Sequence, residues 1–174
     1  MRLGIRAGLA MLLVVGLFTS TVATAGKLDR LSETERIHWR ALRVFFDKAD
    51  QKDFLKLKTE EERNAWLKER GYWDRFYKHP QTIREAIVAG EVKKGWDRDR
   101  LYMAWGQPSE RNRLTGRPAT RSERLIYRFE VDKDGFATVV VDRRPDYKAV
   151  NRYQVDVVVD DDVVTELTQV DDWR

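Results

Sequence analysis

The chain is 174 residues long, with 33 Lys and Arg against 29 Asp and Glu, two histidines and no cysteine. The absence of cysteine excludes disulfides, thiolate catalysis, cysteine-rich zinc sites and the lipid-modified cysteine of bacterial lipoproteins. A net charge of +4 gives no argument for nucleic acid as a partner.

Arg2 and Arg6 precede an apolar run from Leu9 to Phe18, followed by Thr19-Ser20-Thr21 and Ala23-Thr24-Ala25. A basic start, a short apolar stretch and an A-x-A sequence predict an export signal over residues 1–25, cleaved before Gly26. The apolar run is about half the roughly 20 residues a membrane span needs, which ranks a retained N-terminal anchor second. The two arginines are the only charges of that segment, so residues 26–174 carry 31 basic and 29 acidic side chains. An exported chain of this length without disulfides must hold itself together by its core. These features predict a periplasmic protein, free or peripheral to a membrane.

The helical half spans residues 26–90. Ser32 and Glu35 form a capping box ahead of a helix predicted from Leu31 to about Ala49, with Ile37, Ala41, Val44 and Phe45 on its inner stripe. Trp39 and Phe46 fall off the stripe and are expected to meet a neighbouring element. Phe54, Leu55 and Leu57 lead to a second capping box, Thr59 with Glu62. The helix that follows carries Trp66, Trp73, Phe76 and Tyr77, with Gly71 as an interruption. Bulky residues at helical spacing are read as core before ligand-stacking surface. His79-Pro80 closes the segment, and Gln81 to Ala89 forms a third helix ending at Gly90.

Residues 91–174 form the second part, expected to be one compact unit with the first, since the sequence shows no low-complexity linker and no repeat. Gly95-Trp96-Asp97-Arg98-Asp99 opens a short helix capped by Asp97 or Asp99, with Leu101, Tyr102 or Met103, and Trp105 facing inward; Leu101, Met103 and Trp105 also alternate as in a strand, and the caps favour the helix. Gly106 suits a left-handed position after the helix, and Pro108 forbids its continuation. Residues 111–124 hold Arg111, Arg113, Arg117, Arg121 and Arg124 without visible period, which predicts a mobile cationic loop. Two hairpins follow. Leu125–Val131 turns at Asp132-Lys133-Asp134-Gly135 into Phe136–Val141, and Tyr153–Val159 turns at Asp160-Asp161-Asp162 into Val163–Val170. Residues 143–151 are a longer connection. The predicted fold class is α+β: N-terminal helices, a short helix, then a mostly antiparallel four-stranded sheet.

Catalytic signatures are missing. No G-x-S-x-G, G-x-G-x-x-G or Walker A pattern occurs, and His38 and His79 lie on separate helices without a second ligand at metal spacing. His79 reads as a helix-end residue favoured by the dipole. Asp132 and Asp134 lack the remaining calcium ligands and read as turn residues, and Asp160 to Asp162 likewise occupy a hairpin tip. No cofactor or metal is called. The five arginines are the candidate contact for an acidic partner or phosphate headgroup, since guanidinium pairs phosphate bidentately. They could instead meet the chain's own acids, seven of which lie between Tyr153 and Arg174.

Gly95-Trp96-Asp97-Arg98-Asp99 resembles the Gly-Trp-x-Thr-Asp signature of GWxTD-motif domains, followed here too by an apolar segment and Gly-x-Pro (Gly106-Gln107-Pro108). It departs at Arg98, where that signature has threonine. The glycine, short helix, Gly-x-Pro, loop and Tyr-containing strand (Tyr127) also resemble BamE/SmpA-like envelope domains. The resemblance covers roughly residues 90 to 141; the BamE-like pattern leaves the helical half unaccounted for. It implies a non-catalytic envelope domain that binds a protein partner and contacts anionic lipid, with Gly95, Trp96, Asp99, Trp105, Gly106 and Pro108 as motif residues. Trp96 and Trp105 are expected to seat the short helix on the sheet. The alternative function is an envelope carbohydrate-acting enzyme using two sheet carboxylates about 5–10 Å apart.

Overall fold

The computed structural model describes residues 26–141 and 148–171, so the export segment, residues 142–147 of the long connection and residues 172–174 lie outside it. The architecture is α+β, helices first and then an antiparallel sheet.

Both capping boxes form. Ser32 Oγ accepts from the Glu35 amide at 3.2 Å while Glu35 Oε2 accepts from the Ser32 amide at 2.6 Å, starting helix α1 (Glu33–Leu42). Thr59 and Glu62 do the same for helix α3 (Glu60–Glu69). The predicted first helix is shorter than its sequence stripe. After Leu42 the chain tightens into a 3-10 turn over Arg43–Phe45, Phe46 is extended, and Asp47 caps a new helix α2 (Lys48–Lys56) by accepting from the Asp50 amide at 2.7 Å. Leaving the helix lets Phe46 bury its ring. It sits 4.7 Å from Tyr72, 5.4 Å from Trp66, 5.7 Å from Phe54 and 6.0 Å from Trp39 (centroid to centroid), an aromatic cluster the α1 stripe alone would not build. Trp39 and Phe46 are therefore core, whereas Ile37, Val44 and Phe45 are only partly buried.

Gly71, at φ 71°, breaks the second predicted helix into α3 and α4 (Tyr72–Tyr77). Pro80 starts α5 (Gln81–Val88), and Gly90 ends that turn. Helix α6 (Arg98–Trp105) is capped by Asp97, whose Oδ1 accepts from the Arg100 amide at 2.8 Å. Leu101, Tyr102, Met103 and Ala104 are all buried, because α6 lies between the other helices and the sheet.

The sheet has five strands rather than four: β1 (Glu110–Leu114), β2 (Ser122–Val131), β3 (Ala137–Val139), β4 (Asn151–Asp160) and β5 (Val163–Asp171). Their order is β1-β2-β4-β5, with β3 also pairing β2, and every pairing is antiparallel. Leu125, Tyr127 and Phe129 of β2 and Val155, Val157 and Val159 of β4 share the face that packs on α6. Trp105 seats the helix there, 5.1 Å from Tyr127 and 5.3 Å from Phe129. The other face is polar. Arg128 pairs with Glu110 at 2.6 Å and Arg152 with Glu130 at 3.5 Å, around the buried Ile126 and Val158.

The extra strand occupies much of the expected arginine loop. Arg111 and Arg113 stand in β1, opposite Leu125 and Glu123, and Arg124 stands in β2. An edge strand with no apolar member before Leu114 shows no hydrophobic alternation, so periodicity could not reveal it. The Asp132–Gly135 turn forms as read: Asp132 Oδ1 accepts from the amides of Asp134 and Phe136, both at 2.9 Å.

Candidate functional site

The motif stretch is where the helical layer and the sheet are fastened together. The Gly95 amide donates to the Val164 carbonyl at 2.8 Å, the Val164 amide donates to Trp96 at 2.8 Å, and the Arg98 amide donates to Asp162 at 2.9 Å. Residues 95–98 thus run along the start of β5, with an isolated antiparallel bridge from Asp97 to Val163. Trp96 is buried in the core below. Arg98, where the GWxTD signature has threonine, holds Glu123 of β2 at 2.5 Å and Asp162 of the β4–β5 turn at 2.8 Å. Asp99 pairs with Arg75 of α4 at 2.7 Å. At the far end, the Trp105 indole donates to the Gly90 carbonyl at 2.6 Å and the buried Tyr127 hydroxyl donates to the Gly106 carbonyl at 3.2 Å. Gly106 has φ 80° and ψ −154°, an extended conformation outside the left-handed helical well expected for it. That region is essentially closed to residues with a Cβ, and the reversal aims buried Pro108 into β1.

The turn between β4 and β5 depends on its acids. Asp161 and Asp162 both have positive φ (45° and 67°), as a two-residue hairpin loop requires. Asp161 accepts from the amides of Thr120 and Arg121 at 3.3 and 2.9 Å, so the β1–β2 turn is docked on the β4–β5 turn. Asp160 receives Arg117 through Nε and Nη2, the closest contact being 2.7 Å, and Arg117 also reaches Glu166 at 2.7 Å. Those hydrogen bonds from Arg117 hold the Asp160 carboxyl well below its ordinary range.

The five arginines do not converge. Arg111 lies over the Tyr102 ring at 5.5 Å and bonds Gln107, on the helix side of the sheet. Arg113 is exposed on β1. Arg117 is held by Asp160 and Glu166, and Arg121 pairs with Glu123 at 3.2 Å. Arg124 is on the opposite face, 4.0 Å from Asp156. The chain's own acids meet three of them, so a single cationic contact surface at 111–124 is not formed.

The histidines are both buried. His38 Nε2 shares a hydrogen bond with the Tyr77 hydroxyl at 2.6 Å, under a groove of about 550 Å³ whose walls include Ile37, Phe76, Arg84 and Val88. Burial pushes the pKa of His38 and of His79 below the ordinary value. His79 does follow the C-cap of α4, at the helix end read from the sequence, and desolvation is the main cause of its lowering. The aromatic helix face is mostly core. Phe76 is buried, while Trp66, Trp73 and Tyr77 pack against the core with an exposed edge. Among the described residues no group of three or more His, Asp or Glu is placed to hold a metal, and no helix is long and apolar enough to cross a membrane.

Three features lie outside the sequence-based expectations. Helix α2 has a local signal, the cap Asp47 three residues before Asp50, masked by the apolar stripe that runs on through Val44 and Phe45. The pairing of residues 95–98 with β5 has none. The third is a cationic cleft between the C-terminal end of α2 and the turn at residues 27–30, which only the tertiary fold assembles. In comparisons with protein-family models, curated proteins and solved structures, nothing matches the chain.

Proposed function

We propose that this chain is an exported, non-catalytic interaction module of the bacterial cell envelope, periplasmic or peripheral to a membrane, that docks to an envelope protein complex. The observation that carries the reading is the outer edge of β5. Beyond Val164, where the motif stretch ends its pairing, no described strand lies beside it. Residues 165–170 of that strand contain no Lys or Pro, the usual guards of a free edge, and Val170 is exposed. An edge of that kind accepts an extended partner segment as an additional strand, main-chain hydrogen bonds giving affinity and alternate side chains giving selectivity.

The export pattern of residues 1–25 and the resemblance of residues 95–108 to GWxTD and BamE-like domains support the same reading. The pairing of Tyr127 with Gly106 gives both halves of that resemblance a common structural purpose. The carbohydrate-enzyme alternative asks two sheet carboxylates to face a cleft, whereas Asp160, Glu166 and Asp156 each face an arginine. The docking reading predicts that envelope extracts yield a partner for the wild-type chain. Thr168→Lys with Val170→Lys, which guards the edge, should lose that partner while leaving the melting temperature unchanged. Arg113→Ala with Arg121→Ala should retain it. Recovery of the same partner with the guarded edge would remove β5 as the docking element.

A further inference from the structure

The cleft beside α2 has a composition unlike the rest of the surface. About 480 Å³ in volume, it is lined by Lys27, Arg30, Lys56, Lys58 and Arg63 with Leu55 and Leu57, and by no acid. By contrast Arg75, Arg98, Arg117 and Arg128 each meet a carboxylate within 2.8 Å. Three of the nearby acids are committed to other work. Asp53 pairs with Lys56 at 2.9 Å, Glu35 meets Arg63 at 2.5 Å, and Glu62 caps α3 through the amides of Lys58 and Thr59. Lys27, Arg30 and Lys58 are exposed and have no ion pair among the described residues. Arg63, itself buried, is fixed between Glu35 and the Leu57 carbonyl, and its Nε has no partner among the described residues.

Gathering three unpaired cations on one concave surface costs Coulomb repulsion, and a cleft with apolar walls concentrates the resulting field. An anion of matching charge relieves that repulsion. Guanidinium and ammonium donors arriving from the 27–30 turn, from α2 and from the α2–α3 connection suit a group with several equivalent acceptor oxygens carrying two negative charges. We infer that this cleft is a binding site for a phosphate monoester dianion, with Arg30 and Lys58 as its principal donors and Lys27 as the third. The inference does not depend on strand docking at β5. Free phosphate and a membrane headgroup present the same chemistry.

The test titrates the full-length chain calorimetrically with inorganic phosphate, and separately floats it with phosphatidylcholine vesicles with and without phosphatidic acid. Arg30→Ala with Lys58→Ala is compared with Arg113→Ala with Arg121→Ala, which removes the same charge elsewhere; equal melting temperatures establish that both variants are folded. The wild type and the second variant should bind alike, and the first should bind at least about tenfold more weakly, since each charged donor lost is worth that order of affinity. Saturation by inorganic phosphate assigns the site to the free anion, and binding only to phosphatidic-acid vesicles assigns it to a headgroup. Equal weakening in both variants, or no binding of either probe by the wild type, would overturn the assignment.

Discussion

At Gly106 one backbone conformation decides how the helical half joins the sheet. With φ 80° and ψ −154° it reverses the chain after α6, and its carbonyl is held by Tyr127 inside the core. A Cβ there meets no neighbouring atom, so the cost of substitution is conformational alone. Gly106→Ala should lower stability by about 1–3 kcal/mol, measurable as a shift in the urea midpoint at unchanged slope. Nearby, Arg98 shows why a departure from a signature is informative. The guanidinium spans from α6 to both β2 and the β4–β5 turn, a reach that the short threonine side chain lacks. The sequence marked the stretch 95–108 as conspicuous and offered Asp97 or Asp99 as its cap; the structure uses Asp97. It could not reveal that the segment's backbone is spent on β5, because hydrogen-bond partners some 65 residues away leave no local period.

At the scale of elements, what was legible followed from local chemistry and what was hidden came from tertiary contacts. Capping boxes at Ser32 and Thr59, the break at Gly71, the stop at Pro80 and the Asp132–Gly135 turn all concern partners within a few residues. The end of α1 was hidden because its stripe runs on through Val44 and Phe45, while burial of Phe46 in the aromatic cluster turns the chain out. Strand β1 was hidden because it is an exposed edge rich in arginine. Helix α2 is short and depends on its cap. Asp47→Ala should therefore destabilise the chain by about 1 kcal/mol, with amide exchange accelerating first in α2. An unchanged urea midpoint would show that packing of Phe54 alone maintains that helix.

For the molecule as a whole, burial of charge sets the response to pH. Burial holds His38 and His79 below their ordinary value of 6.5, so on acidification the unfolded chain takes up their protons first. Their contribution to stability is complete above about pH 6.5 and falls as pH drops through that value toward their folded pKa. Glu35, although burial opposes it, is held below 4.5 by the Ser32 amide and by Arg63, and Asp160 is held below 3.8 by Arg117. A second loss should then begin beneath about pH 4.5 as unfolded carboxylates protonate. Urea unfolding against pH should show both declines, and His38→Phe should flatten the first without moving the second. A single decline confined to the carboxylate range would contradict the neutral, buried state of the imidazoles.

Residues 95–98 fasten the sheet to the helices as part of the framework. Native-state hydrogen exchange of the Gly95, Arg98 and Val164 amides tests this most directly, since each donates across that junction. All three should exchange only through global unfolding, with the same denaturant dependence as core amides of β2 and β4. Exchange of these three amides through a low-energy local opening, while the sheet core stays protected, would show instead that the motif stretch is a moving part.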